Sequence, residues 1–160
     1  MTVDTSAIGT KTGAWRVVLE RSVLANFAHA VGDDSPAYRD VDAPAPPTFT
    51  FAAPYWAPLS DAQPESPTAG GANPMHAIMG ALHAQGALVL HGEQEFVYHR
   101  TPKAGDVLDG VQTITDIYEK DSDSAHMTFI VMETVWTDAH DGVPVVTEKF
   151  NLIARLKKPN

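Results

Sequence analysis

Four places in the chain carry side chains with chemistry to offer. Asp33 follows Gly32 and stands five residues before Tyr38. An aspartate can activate water, whereas a phenol, with an ordinary pKa of about 10, is a poor base near neutral pH. Asp33 equally suits an Asp-rich turn after a helix. His76 and His83 lie seven apart, where two residues can share a helix face. That is not a usual metal pair, and no carboxylate completes a zinc pattern such as H-E-x-x-H, so no metal site is expected. His91 stands beside Gly92 just ahead of a strand, able to reach a ligand or to serve as a hydrogen-bonded structural histidine. His99 and Arg100 are adjacent, as a grip on phosphates or as solvated residues at a strand end. Gly32 and Gly70-Gly71 form no phosphate loop, no serine sits in a G-x-S-x-G elbow, and there is no cysteine for a thiolate or a disulfide. No cofactor is implied.

These residues need elements to position them. Trp15 to Leu19 reads as a short strand. Ser22 offers a helix N-cap. Val23, Phe27 and Val31, with Leu24 and Ala28 beside them, make one apolar helical face. Gly32 is placed to end that helix in a left-handed conformation. Residues 33–74 hold nine of the 12 prolines. Proline lacks the N–H that helices and sheets need, so this stretch, with its Pro-rich loop at 40–74, is expected to be irregular. It also holds Phe49, Phe51, Tyr55 and Trp56, a cluster foreign to a solvated linker, so the loop should pack on the domain or on a partner.

Met75, Ile78, Met79 and Leu82, with small residues between them, predict a helix over Met75–Leu90. Four strands should follow, at 93–99, 107–118, about 127–136 and 143–156, separated by turns at 102–106, 121–124 and 138–142. In the second, Val111, Thr113, Thr115 and Ile117 are placed on one face. In the third, Ile130, Met132 and Trp136 oppose Met127, Phe129, Val131 and Val135. Short connections predict antiparallel pairing of consecutive strands. The fold class is α+β: an antiparallel sheet with one central helix.

The 160 residues suit a single domain, with a polar N-terminal tail over 1–13. Eleven basic and 20 acidic side chains give a formal charge of -9. Such a surface repels phosphate backbones and anionic bilayers, so neither nucleic acid nor a membrane is an expected partner. The tail lacks the basic start and apolar core of a signal peptide. No apolar run nears the roughly 20 residues of a membrane span. A soluble, cytoplasmic protein is expected.

Phe27–Tyr38 with Ala45–Phe49, then Leu90–Arg100, then Lys103–Leu108 resemble, in order and spacing, the N-terminal-type domain of MaoC-like dehydratases. That family includes (R)-specific enoyl-CoA hydratases and subunits of heterodimeric (3R)-hydroxyacyl-ACP dehydratases. The resemblance implies a hot-dog fold, a sheet wrapped around its helix. The family's hydratase signature runs Gly-Asp-x-Asn-Pro-(Leu/Ile)-His. Here those positions read Gly32-Asp33-Asp34-Ser35-Pro36-Ala37-Tyr38. The aspartate is kept, the asparagine is Ser35, and the histidine is Tyr38.

Adding water across a 2-enoyl thioester needs a base for the water, an acid for the α-carbon and donors for the thioester oxygen. The resemblance assigns the first two to the Asp/His pair. It assigns the third to backbone N–H groups opening the central helix, here around Met75–Ala77. Losing one member of an acid/base pair costs about 10²- to 10⁴-fold. With Tyr38 in place of the histidine, the resemblance implies a substrate-binding subunit that shapes an acyl tunnel beside a second, complete MaoC-like chain. Asp33 and Tyr38 are its candidate catalytic positions. Tyr55, Trp56, His76, His91, His99 and Arg100 are its candidate contacts to an acyl-CoA or acyl-ACP thioester. Two other readings stand. One is a homodimeric hydratase or thioesterase with a rearranged site, pairing Asp33 with His76, His83 or His91. The other is a module that binds an acyl thioester without turnover.

Overall fold

The computed structural model describes residues 4–56, 63–64 and 74–158, leaving aside the side chains of Thr12, Trp56, Pro74 and His76. Five strands form one antiparallel sheet: β1 Lys11–Val18, β2 Leu88–Tyr98, β3 Val107–Asp121, β4 Ala125–Asp138 and β5 Pro144–Lys157. Their order is β1-β3-β4-β5-β2. Three α-helices, α1 Arg21–Ala30, α2 Phe49–Trp56 and α3 Pro74–Ala84, and two 3-10 turns, Thr5–Ala7 and Pro36–Arg39, complete the described elements.

Alternation decides which face of the sheet meets the helices. Along β4, Thr128, Ile130, Met132, Thr134 and Trp136 are all buried, at the period of two that a strand imposes. Two apolar clusters build on this face. One joins α1 and α2 to the sheet through Leu24, Phe49, Ala53, Leu108, Trp136 and Val146. The other joins α3 through Met75, Leu82, Ile114, Ile130, Met132 and Leu152. Gly110 lies in register with Trp15 on one side and Trp136 on the other. A Cβ there would meet the Trp136 ring at 2.5 Å. Without one, the two indoles stack across it, 6.1 Å between centroids.

Several elements differ from their sequence-based expectations, each for a physical reason. The helix expected to run to Leu90 stops at Ala84. Gly86 takes φ +71°, and Gly86 N–H and Ala87 N–H donate to His83 O and Leu82 O at 2.9 and 3.1 Å. That is a Schellman stop, so Leu88–Leu90 are released into β2. The stretch expected to be irregular contains α2. Burial of Phe49 and Ala53, with Phe49 edge-on to Phe27 at 5.3 Å, stabilises this short helix despite Pro54 inside it. Thr48, just before it, has φ 71°, strained for a β-branched residue, and its N–H donates to the Tyr98 hydroxyl at 3.1 Å.

The 1–13 tail is structured from Thr5, in a 3-10 turn, and enters β1 at Lys11. Helix α1 starts at Arg21, with Glu20 rather than Ser22 at its N-cap. In β3 a register shift between Ile114 and Asp116 flips the inward parity. Leu108 and Ile114 precede it and Ile117 follows it, so Ile117 does not share a face with Val111 and Thr113. Strands β2 and β3 are not neighbours, because β2 pairs with β5 at the far edge. Their connection bonds instead to the loop after α1, with Ala45 N–H donating to Pro102 O and Ala104 N–H donating to Ala43 O.

At the other edge, the Gln63 side-chain amide acts as a substitute strand. Val18 N–H donates to its Oε1 at 2.8 Å, and its Nε2 donates to Val18 O at 3.0 Å. The same Nε2 donates to Glu20 Oε1 at 2.6 Å.

Candidate functional site

The turn after α1 is fixed by its own cap. Gly32 takes φ +79°, and Gly32 N–H and Asp33 N–H donate to His29 O and Ala28 O at 3.1 and 2.9 Å, a second Schellman pattern. Asp33 is thereby anchored. Its Oδ1 accepts from Ser35 N–H at 3.1 Å and its Oδ2 accepts from the Tyr38 hydroxyl at 2.8 Å. Ser35 in turn caps the 3-10 turn Pro36–Arg39. Tyr38 is buried. Burial first, then the hydrogen bond to Asp33 and its charge, raises the phenol above its ordinary value. A phenol so held keeps its proton and donates a hydrogen bond to Asp33. It does not relieve water of one near neutral pH.

A cavity of about 400 Å³ opens between α2, α3 and the inward face of the sheet. Neither Asp33 nor Tyr38 lines it. Its walls are apolar, from Phe51, Met75, Met79, Met132, Phe150 and Leu152. Its polar residues are Thr50, Gln112, Thr134 and Glu148, beside Trp136. Glu148 is 3% exposed. Its Oε1 accepts from the Trp136 indole N–H at 2.9 Å. Burial pushes its carboxyl up to about 7, against the opposing pull of Thr50 and of Trp136. The Thr50 hydroxyl is near enough for that pull, yet it is buried without a hydrogen bond of regular geometry. A protonatable group near neutral pH in a cleft is the kind of residue function uses.

Sequence reasoning missed Glu148, although a signal was present. It shares its parity in β5 with Phe150, Leu152 and Ala154, which face inward. A lone glutamate in an apolar strand face is either buried or a break in the pattern.

The expected contact residues fall in different places. Tyr55 lines the cavity while 71% exposed, which puts it at the rim. His91 is exposed, yet its ring packs 5.5 Å from Phe51 and 4.5 Å from Phe150, both cavity residues. His83 is exposed at the end of α3. The side chains of Trp56 and His76 lie outside the described residues. His99 faces Thr147, with Nε2 2.9 Å from Oγ1. Arg100 bonds to Asp106 Oδ2 at 2.5 Å and Asp138 Oδ2 at 2.6 Å. Two carboxylates offset its charge, so this position offers little net attraction to a phosphate. Arg100 ties the segment between β2 and β3 to the end of β4. Arg100→Gln should lower stability by about 1–2 kcal/mol, since it leaves two half-buried carboxylates unpaired. Urea unfolding at neutral pH checks this, and an unchanged midpoint would remove Arg100 from the stabilising framework.

Among the described residues, no three histidine or acidic side chains gather as metal ligands. Nor is any helix among them long and apolar enough to cross a membrane.

The profile of the FAS1-like dehydratase domain region matches residues 6–148. A UPF0336 protein of Saccharopolyspora erythraea is 33% identical over 97% of this chain and 93% of its own. The Mycobacterium tuberculosis ChsH1-ChsH2 complex superposes with a TM-score of 0.70 at 17% identity, covering 94% of this chain and 86% of that one. HadBC from the same organism, a 3R-hydroxyacyl-ACP dehydratase, superposes at 0.62 with 19% identity, covering 94% and 99%. At those identities the structures speak for the fold. The profile match and the curated relative together speak for the family: this chain belongs to the FAS1-like dehydratase-region family, built on the hot-dog fold.

Proposed function

We propose that this chain is the substrate-binding subunit of an (R)-specific 2-enoyl-thioester hydratase or 3-hydroxyacyl-thioester dehydratase. The observation that carries the reading is the Tyr38–Asp33 hydrogen bond, which fills the signature's histidine position with a hydrogen-bond donor that holds its proton. The chain keeps a largely apolar cavity suited to an acyl chain, and among the described residues Asp33 bonds to Ser35 N–H and the Tyr38 hydroxyl rather than to a histidine. A second hot-dog chain with the complete signature would supply the Asp/His pair. The resemblance puts the oxyanion donors at Met75–Ala77, which lie in the first turn of α3, and Met75 lines the cavity.

Two further observations support a partner. HadBC and ChsH1-ChsH2 are both named as complexes of two proteins. Strand β2 is an edge strand of 11 residues with Leu88, Leu90, Val97 and Tyr98 exposed at its two ends around the polar stretch His91–Glu95, and an open edge can accept another strand. Pairing there would join two sheets into one.

The test is hydration of 2-enoyl-CoA substrates, followed by loss of the enoyl absorbance. This protein alone should give little turnover. Adding a hot-dog chain with an intact signature should raise the rate about 10²- to 10⁴-fold above the chain alone. Equal turnover without the partner would overturn the subunit reading. A self-sufficient hydratase or thioesterase is the second reading, and Glu148, able to exchange a proton near pH 7, is the observation in its favour. In that case turnover by the chain alone would vanish in Glu148→Gln.

A further inference from the structure

The cavity is not uniformly apolar, and the position of its polar groups is informative. Glu148, Thr50 and Thr134 are each at most 5% exposed, and all three line the cavity. They come from β5, α2 and β4, three elements far apart in sequence. Glu148 Oε1 is satisfied by Trp136. Among the described residues the remaining polar neighbour of the carboxyl is the Thr50 hydroxyl. That hydroxyl has no partner of regular geometry. A buried polar group left unsatisfied destabilises the fold. A hydrocarbon-only ligand would seal these groups away from water without replacing it.

We propose that Glu148 and Thr50 form a recognition subsite for an oxygen atom carried along the aliphatic chain of the ligand, as a hydroxyl, keto or ether group. The inference rests on the acyl-binding reading above and deepens it by naming the substrate class. The chemistry fits each partner. A protonated Glu148 offers one O–H donor, and the Thr50 hydroxyl both donates and accepts. Burial keeps that proton on Glu148 up to about pH 7. A chain hydroxyl could then accept from Glu148 and donate to Thr50. A keto or ether oxygen would accept from either. The surrounding Phe51, Met79 and Phe150 would hold the methylene segments. A site built to bond an oxygen discriminates against the analogue that lacks it, because the protein's own groups are then stranded.

The experiment compares decanoyl-CoA with a series carrying one hydroxyl at successive carbons from C5 to C10. Binding to the purified full-length protein is read by calorimetry at pH 6.5. At least one positional isomer should bind about 5- to 10-fold more tightly than decanoyl-CoA. Glu148→Met should erase that preference, bringing the ratio of the two affinities to about one. Glu148→Gln, which can still donate, should keep part of it. Thr50→Val reports on the same subsite without touching the carboxyl, should Glu148→Met fail to fold, and should reduce the preference about 3-fold or more. If no isomer exceeds decanoyl-CoA, or if the preference survives both Glu148→Met and Thr50→Val, the subsite does not exist. Failure of every acyl-CoA to bind is a different result and overturns the acyl-binding reading itself.

Discussion

Glu148→Gln is expected to be more stable than the wild type at pH 8 and about as stable at pH 5. The sign follows from where the proton sits. In the unfolded chain the carboxyl titrates near its ordinary 4.5, and in the fold it titrates near 7. Below the lower value both states are protonated and burial carries no penalty. As pH rises, the unfolded state ionises first and gains free energy that the buried group cannot match. Stability falls until the folded value is passed, then levels. At about 1.4 kcal/mol per pH unit, the gap between the two values comes to about 3 kcal/mol. Glutamine keeps the acceptor for the Trp136 N–H and has no proton to lose, so its curve should lack this descent. Asp121 and Asp138, whose values are lowered by hydrogen bonds to Lys158 and to His140 N–H first of all, act below the ordinary aspartate range and leave this window alone. Urea unfolding at pH 5, 6, 7 and 8 is the measurement. Parallel curves for the two proteins would mean that the carboxyl is ionised and hydrated in the fold.

Gly110→Ala is the second large effect expected. A methyl group at this position meets the Trp136 ring at 2.5 Å, and Trp136 is 1% exposed and packed on Trp15. Overpacking of this kind costs about 1–3 kcal/mol. Trp136→Ala alone should cost about 3–5 kcal/mol, through a cavity and a stranded Glu148. The double variant is the discriminating one. With the indole gone, the added methyl has room, so the two losses should add to less than their sum, by about 1–2 kcal/mol. Strict additivity would show that the ring moves aside and that Gly110 is not chosen for it.

How much of this was readable in the sequence depends on the signal each residue sends. The two faces of β4 are legible because Ile130, Met132 and Trp136 share one parity against Met127, Phe129, Val131 and Val135 on the other, but which of them turns inward is not, since both are apolar. The end of α1 is legible because Gly32 supplies the backbone freedom that a Schellman cap uses. The start of β2 is not. Leu88, Val89 and Leu90 continue the apolar run of α3, and only the φ of Gly86 separates the two elements. Helix α2 is hidden because Pro54 within it and Pro46-Pro47 before it argue against it locally, while what stabilises it is burial of Phe49 against Phe27, a contact made in space. Strand order is hidden for the same reason: nothing between Tyr98 and Val107 announces a crossing rather than a hairpin. The places of Asp33 and Tyr38 in the signature are legible from the resemblance, but their hydrogen bond is a contact made only in the fold. The cavity is not, because it gathers Thr50, Thr134 and Glu148 from three distant segments. A glutamate in a strand is ordinarily read as pointing outward.

The Gln63 amide on Val18 has a consequence for how many chains can associate. A sheet with both edges open can add copies head to tail, the β2 edge of one meeting the β1 edge of the next, and such heterologous contacts extend into filaments. Here the Val18 end of β1 is already bonded within its own chain, so that propagating contact is obstructed. Pairing is thereby steered to the β2 edge, where the partner proposed above would sit. One side-chain amide thus disfavours growth of a filament through this end of β1.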